Sequence, residues 1–176
     1  RNHSSAASDV YKRQAYVPNK IESIVCFLAC AKNGIIWSSC SPDFGAQGVV
    51  DRFKQIEPKV FITCDYYYYN GKKINILDKV EEILKQIPSI KKVIAFNYNK
   101  QERESLKNFI NFEETLKNDL DEVFERFEFN HPIYILFSSG TTGKPKCITH
   151  GSGNVLIEHN NCLLYTSDAA DEWWRG

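Results

Sequence analysis

Helical patterns of ten to twelve residues alternate along this chain with short apolar, β-branched runs, and that alternation limits it to an α/β fold with a mainly parallel sheet and flanking helices. Glu22 to Asn33 carries Ile24, Val25, Leu28 and Ala31 at helical spacing, Gly34 stands as a stop, and Ile35 to Ser38 reads as a strand. Gln47 to Glu57 gives an amphipathic helix closed by Pro58, ahead of the strand Val60 to Cys64. Leu77 to Ile87 and Val93 to Phe96 form the next helix and strand. The polar stretch Asn97 to Glu128, with an amphipathic piece near Phe112 to Phe124, reads as a surface connection. The chain shows no repeat and no low-complexity segment.

That connection leads into Tyr134 to His150, YILFSSGTTGKPKCITH, where an apolar strand runs into a loop suited to phosphate. Gly140 and Gly143 let backbone amides turn inward, Ser138, Ser139, Thr141 and Thr142 add hydroxyls, and Lys144 and Lys146 add positive charge. A polyphosphate fits this chemistry. The loop is not the Walker type, which needs four residues between its glycine and its glycine-lysine pair and then a helix. Here two residues intervene, and Pro145 follows, removing a donor and opposing helix nucleation.

The two ends read differently. Ser4 to Gln14, SSAASDVYKRQ, and Cys162 to Glu172, CLLYTSDAADE, back-translate to one DNA sequence and its reverse complement shifted by one base. They look like a sequencing-library transposon adapter translated from opposite strands. Residues 1–14 and 162–176 are therefore set apart as non-native, and no packing of them is expected against Ala15 to Asn161, which reads as an interior fragment with its natural termini missing.

Composition narrows the partners. Lysine plus arginine equal aspartate plus glutamate at 22 each, which gives no support for nucleic-acid or membrane-surface binding. The longest apolar stretch, Ile24 to Ala31, is too short to span a bilayer. Cys26, Cys30, Cys40, Cys64 and Cys147, odd in number between the flanks, fit reduced intracellular thiols and a cytoplasmic setting. Cys26 and Cys30 share a helix face, but zinc would need two further ligands that nothing nearby offers, so core packing is expected and no metal site is assigned.

The loop resembles the signature of the adenylate-forming (AMP-binding) superfamily of acyl-CoA synthetases, luciferases and peptide-synthetase adenylation domains, close to Tyr-Thr-Ser-Gly-Thr-Thr-Gly-x-Pro-Lys-Gly. Ser139, Gly140, Thr141, Thr142, Gly143, Pro145 and Lys146 match; Phe137, Ser138 and Cys147 depart. Trp37 to Gly45, WSSCSPDFG, and Asp51 to Pro58, DRFKQIEP, make the similarity narrower, to the acetoacetyl-CoA synthetases.

This resemblance implies part of a large N-terminal domain. It also implies an acid–thiol ligase in which acetoacetate attacks the α-phosphorus of ATP, releasing pyrophosphate, and coenzyme A then displaces AMP, with Mg2+ accompanying ATP. Other short-chain acyl-CoA synthetases, for acetate or propionate, and a non-catalytic nucleotide-binding protein remain alternatives.

On the same resemblance, Ser138, Ser139, Gly140, Thr141, Thr142 and Gly143 would cradle the β- and γ-phosphates, and Lys146 would face the departing pyrophosphate. Thr142 and Lys146 are the catalytic candidates, and Lys144 falls at a variable, solvent-facing position. His150 is a nucleotide-site or a structural histidine, with His131 and His159 behind it. Trp37 to Asp43 either lines a substrate cleft or makes a turn before the Gln47 helix. Asp65 to Lys73, DYYYYNGKK, lies about where relatives meet the CoA nucleotide but also carries a hairpin turn at Asn70-Gly71. The family's adenine motif, ribose aspartate and mobile lysine domain are not found before Asn161, so this fragment is itself expected to be inactive.

Overall fold

A computed structural model describes residues 12–99, 108–116, 124–138 and 143–172, with side-chain surroundings through Cys162. The strands are β1 (Lys12–Tyr16), β2 (Ile36–Cys40), β3 (Val60–Cys64), β4 (Tyr66–Tyr69), β5 (Lys72–Asn75), β6 (Lys92–Phe96), β7 (Ile110–Asn111), β8 (Pro132–Ser138) and β9 (Lys146–Gly151). The helices are α1 (Ile21–Lys32), α2 (Ala46–Phe53), α3 (Leu77–Gln86), α4 (Phe112–Thr115) and α5 (Ser152–Glu172).

One sheet runs β7-β6-β3-β1-β2-β8-β9 and is parallel throughout except for β9, which returns antiparallel to β8. The mainly parallel α/β architecture expected from the alternation is therefore present. β2 and β3 lie on opposite sides of β1, so the winding reverses there, the point at which open α/β sheets form a crevice at their carboxyl edge.

The helices divide between two faces. Phe53 of α2 meets Phe61 of β3 at 6.1 Å and Phe137 of β8 at 6.3 Å, and α3 packs beside α2. Side chains alternate along a strand, so Tyr134 of β8 points the other way; there Phe27 of α1 lies 6.3 Å from both Tyr134 and Trp37.

Local sequence explains most boundaries. Pro58 disfavours the αR region at Glu57, so α2 stops at Phe53, tightens into a 3-10 turn over Lys54–Ile56, and leaves Glu57 left-handed at φ 48°. The expected Gln47–Glu57 helix is thus two shorter windings. Asn70 and Gly71, at φ 47° and 74°, make the tight primed turn that closes the β4–β5 hairpin. Gly34, at φ 60°, ends α1, and any side chain there would run into the Phe127 ring and His131 Nε2.

Cys26 and Cys30 pack in the core as expected, with Glu22 buried beside them, while Ile24 and Leu28 are 59% and 57% exposed. α1 is apolar on several sides, and the small cysteines let it lie against the sheet. One expectation fails: Lys12, Arg13 and Gln14, set apart as non-native flank, pair with Ile36 to Ser38, and Arg13 and Gln14 also pair with Val60 and Phe61. Backbone pairing does not depend on side chains, so these residues complete a central strand. The side chains suit it poorly: Gln14 is fully buried with both amide atoms unpaired, and Arg13 Nη1 is buried without a partner. Central parallel strands are normally apolar at such positions.

Candidate phosphate-binding site

The phosphate loop joins β8 to β9, and the register that sets the two strands places Ser138 opposite Lys146 and Phe137 opposite Cys147. Ser138 and Lys146 accordingly share one face of the hairpin, and Phe137 and Cys147 the other, toward α2. Of the cradle residues, Ser139, Gly140, Thr141 and Thr142 lie outside the described residues. Gly143 is exposed with φ 159°, a positive φ that side chains rarely adopt, as expected of a glycine that turns the backbone. Lys144 and Lys146 are both solvent-exposed, and Pro145 between them is half-buried.

Two contacts tie the hairpin to the rest of the fold, one buried and one at the surface. Ser38 Oγ donates to the Ile135 carbonyl at 2.8 Å, tying β8 to β2. Gln55, in the 3-10 turn, donates to the carbonyls of Asp51 at 2.6 Å and Pro145 at 3.0 Å, and Cys147 Sγ lies 3.5 Å from its Oε1.

β8 runs parallel to β2, so its loop leaves from the same sheet edge as the Ser41–Phe44 turn after β2 and the tyrosine hairpin after β3. All three therefore sit at the carboxyl ends of parallel strands, where α/β proteins place their ligands. A cleft of about 390 Å³ opens there, bounded by Pro18, Trp37, Ser41, Asp43, Tyr67 and Tyr69.

These features have counterparts in known proteins. Residues 14–174 match the family described as AMP-binding enzyme. The chain belongs to that family. An acetoacetyl-coenzyme A synthetase of Rhizobium meliloti (strain 1021) is 46% identical over 151 residues, covering 82% of this chain and 23% of the relative. An acetoacetyl-CoA synthetase of Macaca fascicularis is 40% identical over 153 residues, with the same two shares. Among solved structures, the acetoacetyl-CoA synthetase from Streptomyces lividans superposes with a TM-score of 0.80 at 38% identity, covering 88% of this chain and 24% of that one. The chain thus spans less than a quarter of the length of these relatives.

Within this AMP-binding fold the remaining candidates sort clearly. Trp37 to Asp43 runs into the turn expected of it, Phe44 N donating to Ser41 O at 3.1 Å before α2, and residues of the same segment line the cleft. Gly45, not Asp43, is the N-cap of α2. Across the cleft, burial first and then a hydrogen bond to the Asp43 carboxylate push the Tyr67 phenol up to about 12, so it stays protonated and donates.

His131 is held structurally, its Nε2 2.9 Å from Gly34 O and its ring stacked 4.4 Å from Phe127, while His150 lies 5.0 Å from the Tyr134 ring. His159 is exposed on α5.

Two residues went unnoticed in the sequence. Asp65 is fully buried, its Oδ1 accepting from the amides of Tyr66 and Tyr98 at 2.8 Å each and its Oδ2 from Asn97 Nδ2 at 3.0 Å. It pins the tyrosine hairpin to the end of β6. A lone aspartate directly after a buried apolar strand was the available signal. Gln55 carried none.

Burial raises the thiol pKa of Cys26 to about 12 and of Cys30 and Cys40 to about 11, and raises Cys64 further, so these are inert core thiols. Cys26 and Cys30 gain no metal partner: among the described residues no three His, Cys, Asp or Glu side chains converge. No helix among the described residues is long and apolar enough to cross a membrane.

Proposed function

We propose that the parent of this chain is a cytoplasmic acetoacetate–CoA ligase and that the β8–β9 hairpin holds the phosphates of its ATP. The observation that carries this is the Ser138–Lys146 register. It sets a hydroxyl and an ammonium on one face at the mouth of a glycine-threonine loop, at the sheet edge that also bears the cleft. Chemically, a carboxylate oxygen of acetoacetate displaces pyrophosphate from the α-phosphorus, and coenzyme A sulfur then displaces AMP from the acyl carbon. The protein forms no covalent bond, so its contribution is positioning and charge neutralisation. Ser138, Ser139, Gly140, Thr141, Thr142 and Gly143 cradle the β- and γ-phosphates, and Thr142 and Lys146 act on the departing pyrophosphate. Magnesium travels with the nucleotide on its phosphate oxygens.

Pyrophosphate exchange by the full-length parent tests this reading. Lys146→Ala should lower the acetoacetate-dependent rate by about 10² to 10³ with the fold intact, as removal of one preorganised electrostatic donor does, and by more than Lys144→Ala. Equal, small losses overturn the loop assignment, and a preference for acetate or propionate overturns the acid.

The flanks, residues 1–14 and 162–176, we read as translated adapter. Gln14 and Arg13, polar atoms buried without partners in a central strand, support this at one end. The family match runs on to residue 174, so the source DNA decides: absence of the complementary adapter sequence at the two ends refutes it.

A further inference from the structure

We infer that Gln55 is a positioning residue for Lys146, an inference that rests on the phosphate-loop reading above. Its side chain brackets that lysine. On the N-terminal side of Lys146, Gln55 Nε2 donates to Pro145 O at 3.0 Å; on the C-terminal side, Cys147 Sγ meets Gln55 Oε1 at 3.5 Å. The same Nε2 donates to Asp51 O at 2.6 Å, so both amide protons and the carbonyl are engaged. The amide can have only this orientation, because the two partners of the nitrogen are carbonyl oxygens, which accept and cannot donate.

The mechanical consequence follows from strand geometry. Cys147 and Lys146 alternate, so a clamp on the Cys147 face leaves the Lys146 side chain free on the opposite face, beside Ser138. Gln55 is also well anchored. The 3-10 turn is closed by Pro58, and its Ile56 and the preceding Phe53 are buried in the core, with Phe53 packed on Phe137 of β8. The glutamine, itself at the surface, thus ties the limb of the loop that carries the charge to a turn whose Phe53 and Ile56 are fixed in the core. β9 needs such support because it is the edge strand, paired on one side only by β8, and its residues Lys146 to Thr149 are all exposed.

Hydrogen bonds of this kind are worth about 0.5–1.5 kcal/mol each, which corresponds to about a two- to tenfold effect on binding. In the full-length parent, Gln55→Leu should therefore raise the KM for ATP about three- to tenfold in pyrophosphate exchange. The KM for acetoacetate and the thermal midpoint should hold, a pattern that a general structural defect does not produce. Gln55→Glu supplies the second variant. Ionised, it has no proton for Pro145 O and should match or exceed the Leu loss; as pH falls toward the carboxyl pKa it gains an O–H donor, and its KM for ATP should approach the wild-type value at the same pH.

Lys146→Ala, run in parallel, separates the two ideas. If Lys146→Ala is impaired while both Gln55 variants bind ATP as the wild type does, the positioning role is refuted and the phosphate loop stands. If Lys146→Ala is also unimpaired, the loop reading fails and Gln55 falls with it. Equal KM increases for ATP and acetoacetate, or a pH-independent defect in Gln55→Glu, would make Gln55 a structural residue only.

Discussion

The two ends of the sheet are built from the same kind of apolar strand but finished differently. Around β3, β1 and β6 the strands are covered: Val49 and Phe53 of α2, Phe61 of β3, and Val80 and Ile83 of α3 are all fully buried. At the other end, Leu136 of β8 and Ile148 of β9 are about half exposed, and β9 is held by backbone pairing to β8 with few side-chain anchors. Stability is concentrated in the first region and the proposed phosphate chemistry in the second, which fits the general placement of ligand loops on edges supported by a rigid scaffold.

The largest effect should come from the residue that joins the two regions. Phe53 touches Phe61 in the covered half and Phe137 in the hairpin, so Phe53→Ala should destabilise the chain by about 3–5 kcal/mol in urea unfolding. A loss below about 1 kcal/mol would show that the covered half does not support the hairpin, and the contrast would need redrawing.

A change of opposite sign tests the centre of the sheet. Gln14 occupies a fully buried position in β1 with neither amide atom paired, and its neighbours Ser38 and Phe61 are aligned with it across the parallel ladder. Gln14→Leu, close in volume, removes two unsatisfied polar atoms and should stabilise by about 1–3 kcal/mol. Few buried-to-buried substitutions in natural cores raise stability that much. A destabilising Gln14→Leu would mean the amide has partners in solution, and would remove the structural support for a non-native flank.

How far such features were legible depended on whether they are local. Alternating periodicity and the Asn70-Gly71 turn disclosed the α/β class and the β4–β5 hairpin, since both follow from backbone preference within a few residues. The candidate phosphate loop could be proposed from sequence because its glycines, hydroxyls and lysines are contiguous. Gln55 was not, since its partners Pro145 and Cys147 are 90 and 92 residues away, and only the placement of β8 and β9 beyond β2 brings them together. Asp65 was hidden similarly: two of its three partners, Asn97 and Tyr98, arrive from the end of β6. The buried face of α1 was legible only in part: the i, i+4 spacing of Cys26 and Cys30 marked one apolar side, but periodicity alone does not say which of two apolar sides meets the sheet.

The outward face of α1 supplies the smallest effect and the sharpest check. Leu28 stands 57% exposed on α1 while Cys30, two residues on and on the opposite, buried side, is 3% exposed. If the sheet contacts α1 through Cys26 and Cys30, then Leu28→Gln removes little buried area and should change unfolding free energy by no more than about 0.5 kcal/mol, as exposed substitutions generally do. The same substitution takes apolar surface off an outward stripe that also includes Ile21 and Ile24, so it should improve solubility at high protein concentration. The measurement is urea unfolding at two concentrations, tenfold apart. A loss above about 2 kcal/mol at both would put Leu28 in the core and reverse the orientation of α1. A loss that appears only at the higher concentration would show the stripe covered by a second copy of the chain, so that the open half of the molecule is open only when dilute.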